Sequence, residues 1–554
     1  MRAKKRRLRR RDIVKDAIAG IVLGIESVPD GLASGLLAGV NPLAGLYAYL
    51  YGMVGAAVLT SSTFMAVQAT GAMALVIQDA NLETRPDPDR ALFTLALMTG
   101  LVMCIAGLLK GGRLIRFVPA DVMTGFITAV GVNIILGQLS AFTGYSGEGS
   151  NRVTRSIDLL RHIPQWSIPT VIVGAVTILA IVVLQRTPVG GFGLVIAVVV
   201  GSLTAAALNL WVDARVPLLG DIVVVPAGLP LPTLPSIGDV PYLLIPAVSL
   251  ALVGLIQGAG VSAGIPTASG RPANASRDFI GQGVGNIVSG LFRGMPVGGS
   301  MSGSSLLVTA GARSKLALFV AGVTMALVIV FASGIVALTA MPALAGLLMT
   351  IGYAAIKPSR VYSVVKSGIL PTAVMAVTFV LTLVIPLQFA VLAGVGLGII
   401  LFVARQSNRL RVRQVHLDES GGMRESDPPA TVGRREVIVL QPYGSLFFAS
   451  APSFERQLPK VDEETEGSVV IIRLRGTDEL DLALIDSLRR YARSLAAASS
   501  RVKLVISEAA VRQQLAASGL LAELGEENVY QGTEWIGKAV QLAWADAQRS
   551  VARE

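Results

Sequence analysis

Between residues 13 and 403 the chain alternates long apolar runs with short breaks of glycine, proline or charge. A helix needs about 20 apolar residues to cross the hydrocarbon core, at about 1.5 Å per residue. By that measure fourteen segments stand out, some of them short: 13–38, 43–59, 64–79, 91–109, 118–140, 168–185, 191–211, 242–264, 276–292, 303–312, 316–334, 339–356, 370–385 and 387–403. An even count puts both termini on one side of the membrane. The loops that then face the cytoplasm are "KGGRLIRF" (110–117), "QRTP" (185–188), "GRPANASRD" (270–278), "GARSK" (311–315) and "KPSRVYSVVK" (357–366). All are basic, whereas the opposite loop "DANLETRPDPD" (79–89) is rich in acid. That is the asymmetry of the positive-inside rule, with cytoplasmic termini.

Past Arg405 the pattern changes. Residues 405–435 are polar and read as a linker. "REVIVLQPYGSLFFAS" then reads as a hairpin, "SVVIIRLRG" and "RVKLVIS" as buried strands, and "DLALIDSLRRYARSLAAA" and "TEWIGKAVQLAWADAQ" as amphipathic helices. Strands alternating with helices make residues 436–550 a small cytoplasmic α/β domain. The chain therefore divides into a basic cytoplasmic N-terminus (1–12), a membrane domain (13–404), the linker and this domain.

Composition agrees: of 554 residues, 53% are hydrophobic and 15% charged, and the mean hydropathy is +0.65. This is the profile of a multi-pass membrane protein, and the cell inner membrane is its expected location. The net charge of +11 would suit nucleic acid, but eight of the basic residues lie in "MRAKKRRLRRR". That run precedes the first apolar segment, where a cytoplasmic anchor belongs, so no nucleic-acid partner is expected. The single cysteine, Cys104, excludes an internal disulfide or a thiolate cluster, and His162 and His416 lie outside the apolar runs. No metal site is expected. No histidine neighbours a candidate nucleophile and no glycine-rich stretch carries a phosphate-loop lysine, so neither an enzyme nor a cofactor is expected.

Two segments fail as ordinary spanning helices: "VLTSSTFMAVQATGAMALVI" (58–77) and "FRGMPVGGSMSGSSLLVTAGA" (292–312). Each begins with an extended, Ser/Thr/Gly-containing piece and continues as a helix too short to span. They are third and tenth of fourteen, as two inverted seven-segment halves would place them, and transporters keep binding sites where helices are broken at mid-membrane. If both half-helices start there, their free N–H groups and positive dipole ends converge on one volume that attracts an anion. Hydroxyls of Thr63, Thr70, Ser300, Ser302, Ser304 and Ser305, with the Gln68 amide, are candidate donors. The plainer alternative is close helix packing by small residues.

These residues bring a family into view. "VPDGLASGLLAGVNPLAGLYAYL", "TSSTFMAVQATGAM" and "NASRDFIGQGVGNIVSGLFRGMPVGGSMSGSS" resemble the first, third and ninth-to-tenth segments of bacterial members of the sulfate permease (SulP), or solute carrier 26, family. "YGSLFFASAPSFERQL" and "VVIIRLRGTDELD" are similar to its STAS domain. The resemblance implies a seven-plus-seven inverted repeat with core and gate subdomains, a homodimer, and anion carriage by an elevator-like movement of the core. Within the family the pattern is most similar to the prokaryotic dicarboxylate (fumarate) proton symporters. The alternatives are a sulfate, bicarbonate or chloride transporter or exchanger, or an anion channel. Carried over residue by residue, the resemblance points to Gln68, Ala69 and Thr70, to Gly299, Ser300, Met301, Ser302 and Gly303, and to Gln257 as substrate-binding. The chain departs from many relatives in having Gly303 where they have a basic residue, Gln257 where they have an acid, and Gln68–Ala69 in place of Gly-Pro. In the STAS domain Asp481 is followed by Leu482, so the serine phosphorylated in bacterial relatives is missing.

Two acids interrupt the first apolar run, in "GIESVPDGLASG" (24–35). A charged carboxylate at the bilayer centre costs roughly 2.5–3.5 kcal/mol on insertion scales, so such acids are candidate functional groups. Glu26 is expected near mid-membrane, with Asp30 one turn on along the same face. Pro29 is expected to kink or end the helix, and the glycines to pack it against the half-helices. Glu26 is the candidate proton carrier, with protons as coupling ion and Asp30 modulating it.

Overall fold

The computed structural model describes residues 10–112, 119–149, 151–187, 192–224, 227–265, 267, 273–385, 387–407, 409–417, 422–474, 476, 478–535 and 537–553. Residues 1–9 of the basic N-terminus, 113–117 of the first basic loop, Pro188 and residues 270–272 lie outside them. The chain folds as two compact units, Met1–Gly398 and Ile399–Glu554.

The first unit is helical. Its elements are α1 (Arg10–Leu37), α2 (Pro42–Leu59), β1 (Ala66–Gln68), α3 (Gly71–Asp79), α4 (Pro88–Leu108), α5 (Ala120–Thr143), α6 (Arg152–Arg161), α7 (Ile168–Leu184) and α8 (Phe192–Val212). They are followed by α9 (Val240–Gly264), α10 (Ala275–Leu291), β2 (Gly298–Ser300), α11 (Met301–Thr309), α12 (Leu316–Phe331), α13 (Met341–Ala355), α14 (Pro358–Lys366) and α15 (Ile369–Val384), and α16 (Leu387–Ser407) begins in the first unit and ends in the second. Among the described residues, six helices are long and apolar enough to cross a membrane unaided. The third and tenth segments have the expected form, a short strand leading into a helix of nine residues.

The helices fall into two packed groups. In one, α1 packs on α12 and α2, and α10 on α4 and α2. In the other, α5 packs on α13 and α15, and α7 on α8 and α13.

Three expectations about the membrane unit are corrected. Pro29 does not end α1, which runs unbroken to Leu37. Its glycines seat it elsewhere than on the half-helices: a Cβ on Gly24 would lie 2.7 Å from the Ala321 carbonyl oxygen of α12, and one on Gly35 2.7 Å from Pro42 Cα of α2. Contact of this closeness along both flanks offsets the hydrogen bond that proline forfeits. The loop 357–366 is mostly a helix, α14, started by Pro358 at its first turn, where a missing N–H costs nothing.

In the second unit β3 (Arg411–Leu417), β4 (Met423–Ser426), β5 (Val437–Tyr443), β6 (Val469–Leu474), β7 (Arg501–Ile506) and β8 (Val529–Gln531) form one sheet in the order β4-β3-β5-β6-β7-β8. Strands β5 to β8 are parallel. Helix α17 (Leu482–Ala497) packs on β7 on one face and α18 (Lys538–Arg553) on β6 on the other. Residues 405–435 are thus more than a linker, for they supply the antiparallel edge pair β3–β4. Their polar composition is that of an edge, where one face meets water. Nor does 435–450 form a hairpin: β5 is a single strand whose neighbours are β3 and β6, and a 3-10 turn at Phe448–Ser450 follows it. Asp481 caps α17, accepting from Ala483 N at 3.0 Å, and Leu482 beside it is exposed.

Candidate functional site

The two strands that precede the half-helices pair with each other. β1 and β2 run antiparallel with Ala66 opposite Ser300, Val67 opposite Gly299 and Gln68 opposite Gly298. Each strand passes directly into its helix, α3 after Thr70 and α11 after Ser300, so two helix N-termini begin beside one small sheet. Both caps are hydroxyls. Thr70 Oγ1 accepts from Met73 N at 3.4 Å and donates to Gln257 Oε1 at 2.8 Å. Ser300 Oγ accepts from Gly303 N at 3.2 Å and lies 3.0 Å from Ser302 Oγ. The remaining first-turn N–H groups of each helix have no intrahelical acceptor, and the two dipole ends add positive potential. That is chemistry for an anion.

The structure brings most of the expected residues together. Gln68 and Gly299 sit in the paired strands, Gln68 is 1% exposed, and its Nε2 donates to Ser27 Oγ at 2.9 Å. Its Oε1 lies over the first turn of α11, hard against the point where a Cβ on Gly303 would stand, so this amide occupies the space a side chain at 303 would need. The Ala69 carbonyl oxygen lies 2.9 Å from Tyr49 Oη. Met301 and Ser302 are exposed at the start of α11. Ser304 is the exception among the hydroxyls: it is fully buried and spent on the strands, accepting from Ala66 N at 2.9 Å and donating to Ser300 O at 2.5 Å.

Both acids of α1 belong to this neighbourhood. Asp30 Oδ2 accepts from Tyr49 Oη at 2.7 Å, and that hydroxyl also reaches Ala69 O, which ties the acid to the link between β1 and α3. Glu26, one turn earlier, is 6% exposed, and its Oε2 is buried without a hydrogen-bond partner among the described residues. Their neighbour Ser27 holds Gln68.

Sequence reasoning missed what holds the strands. Along α10, Asp278, Gln282, Asn286 and Ser289 make a polar stripe, and none of the four is exposed. Asp278 accepts from both the N–H and the hydroxyl of Ser61 and of Ser62, shortly before β1. Gln282 Oε1 accepts from Gly299 N at 3.0 Å. Asn286 acts as a strand partner to Val297, donating to its carbonyl at 2.7 Å and accepting from its N–H at 2.8 Å. Ser289 Oγ donates to Met295 O at 2.7 Å. The legible signal was the spacing of four, four and three, one face of a helix in a glycine-rich apolar run. Asn286→Ala is expected to strand two buried backbone groups and cost about 3 kcal/mol, read as a lower thermal midpoint of the detergent-solubilised protein. An unchanged midpoint would mean that the stripe does not hold β2.

Comparison with known proteins follows the same division of the chain. A family model described as "Sulfate permease family" matches residues 13–398, and one described as "STAS domain" matches residues 428–534. The chain is 27% identical over 541 residues to the "Probable sulfate transporter Rv1739c" of Mycobacterium tuberculosis, covering 95% of each chain. It is 26% identical over 469 residues to the "Bicarbonate transporter BicA" of a Picosynechococcus species, covering 81% of each. Among solved structures, murine solute carrier 26 family member A9, an anion transporter in the inward-facing state, matches with a TM-score of 0.84 at 18% identity, over 98% of this chain and 92% of that one.

Proposed function

The chain belongs to the sulfate permease family, a family of anion transporters, and from that premise we propose that it carries a small inorganic oxyanion of the sulfate or bicarbonate class. The observation that carries this reading is the pairing of β1 with β2, which starts two half-helices beside one another. The anion would sit at the first turns of α3 and α11, against Thr70, Ser300, Met301 and Ser302, with Gln68, Ala69, Gly299, Gly303 and Gln257 shaping the floor. The group built on α1, α4, α10 and α12 would move against the group built on α5, α7 and α13, as a homodimer in the inner membrane with cytoplasmic termini. Glu26 would carry the coupling proton, and Asp30 would tune its environment through Tyr49.

A dicarboxylate such as fumarate is the second reading, supported by the resemblance of the sequence pattern to the prokaryotic dicarboxylate symporters of the family. One assay separates them. Full-length protein in proteoliposomes is expected to accumulate labelled sulfate or bicarbonate in a saturable, pH-gradient-stimulated manner, with fumarate and chloride as poor competitors. Preferential fumarate uptake would install the second reading, and unitary chloride currents without accumulation would replace the carrier with a channel.

A further inference from the structure

Between Asp278 and Asp418 the sequence carries no acidic residue. Helix α14 lies inside this interval, in "KPSRVYSVVKSGIL" (357–370), and none of its residues is buried. Projected at 100° per residue, Pro358, Val361, Tyr362, Val364 and Val365 fall on one side, and Ser359, Arg360, Ser363 and Lys366 on the other. Tyr362 on the apolar side is 61% exposed, and close by in sequence Ile369 is 90% exposed and Tyr353, at the end of α13, 75%. Among the described residues, Lys357, Arg360 and Lys366 pair with no acid, and the Lys366 ammonium stands 4.6 Å over the Tyr362 ring. α14 packs against α5 and α15, and the one acid of α5, Asp121, is buried.

We infer that α14 is a docking surface for anionic phospholipid headgroups. The position of the helix supplies the occupant. α14 joins two helices of a membrane domain, so the bilayer is the apolar phase at hand for Tyr353, Tyr362, Val365 and Ile369. A helix with an apolar face and a cationic rim lies in the interface, its aromatic rings at headgroup level. Three cations without an acidic partner complement phosphodiester charge, and each contributes roughly a fivefold gain in affinity near an acidic lipid surface. The group built on α5, α7 and α13 carries α14, through α5 and α15, so headgroup binding there would anchor that group in the membrane while the other moves.

The test places a local reporter on the polar side of α14. Full-length protein with Cys104→Ser and Ser363→Cys, labelled with an environment-sensitive fluorophore, is reconstituted in nanodiscs of phosphatidylcholine with increasing phosphatidylglycerol. The emission is expected to respond to phosphatidylglycerol and to be insensitive to inorganic phosphate. Lys357→Gln, Arg360→Gln and Lys366→Gln should each weaken the apparent affinity about fivefold, and the triple variant should lose the response. Single variants keep the test valid if the triple variant does not fold. An equal response in all variants, no response in the parent, or competition by inorganic phosphate would overturn the inference.

Discussion

Glu26→Gln protein in proteoliposomes is expected to take up anion at one rate whether or not an inward-directed proton gradient is imposed, whereas the parent protein is driven by it. The substitution preserves size and removes only the capacity to carry a proton. Glu26 is 6% exposed inside a helix of the membrane domain, and its Oε2 has no hydrogen-bond partner among the described residues. A carboxylate that merely capped a helix or held a neighbour would have its oxygens occupied, as those of Asp278 are. A one-unit pH gradient supports about a tenfold accumulation per coupled proton, so loss of coupling removes a factor of that size. Asp30→Asn is expected to have the smaller effect, because Asp30 already accepts from Tyr49, whose hydroxyl lies beside the Ala69 carbonyl. Gradient stimulation that survives in Glu26→Gln would remove Glu26 from the mechanism and leave the anion site untouched.

The parts of this site that could be read from sequence are those where membrane physics leaves few options. An acid in an apolar run, or a run too short and too hydroxylated to span, stands out against its surroundings, which is what makes Glu26, Asp30, Thr70 and Ser300 candidates. The polar stripe of α10 did not stand out in the same way, since Gln282, Asn286 and Ser289 carry no charge and each is individually tolerable in a membrane helix. Their meaning lies in what they face, the strand β2, and a partner distant in space leaves only a spacing in the sequence. Tyr49 was hidden for a similar reason: an aromatic residue in a spanning helix looks like packing until its hydroxyl is seen between Asp30 and Ala69. Pro29 misled in the opposite direction. Local propensity argued for a break, and close packing of α1 on α12 and α2 carried the helix through.

Linking residue 79 to residue 152 should arrest transport. Arg152, at the first turn of α6, reaches the C-terminal end of α3, where its guanidinium meets Asp79 Oδ1 at 2.5 Å, Gln78 Oε1 at 2.9 Å and the Leu75 carbonyl at 3.4 Å. A helix C-terminus carries negative dipole charge, so α3 offers this cation a carboxylate, an amide oxygen and a dipole together. Both side chains of the ion pair are 13% exposed, at the wall of a polar cavity of 580 Å³. α6 packs on α5, and α3, which also touches α5, continues from the strand β1 at the proposed anion site, so in the proposed cycle the pair would join the two moving bodies. If those bodies move relative to one another, this contact must open in every cycle. In a Cys104→Ser background, Asp79→Cys with Arg152→Cys treated with a thiol-cleavable bifunctional reagent of arginine-like reach is expected to lose uptake, and to regain it on reduction. The same double variant without the reagent should still transport, since the ion pair holds one state and takes no part in binding the anion. Uptake by the cross-linked protein at the uncross-linked rate would mean that α3 and α6 travel together, and the boundary between the moving groups would have to be redrawn.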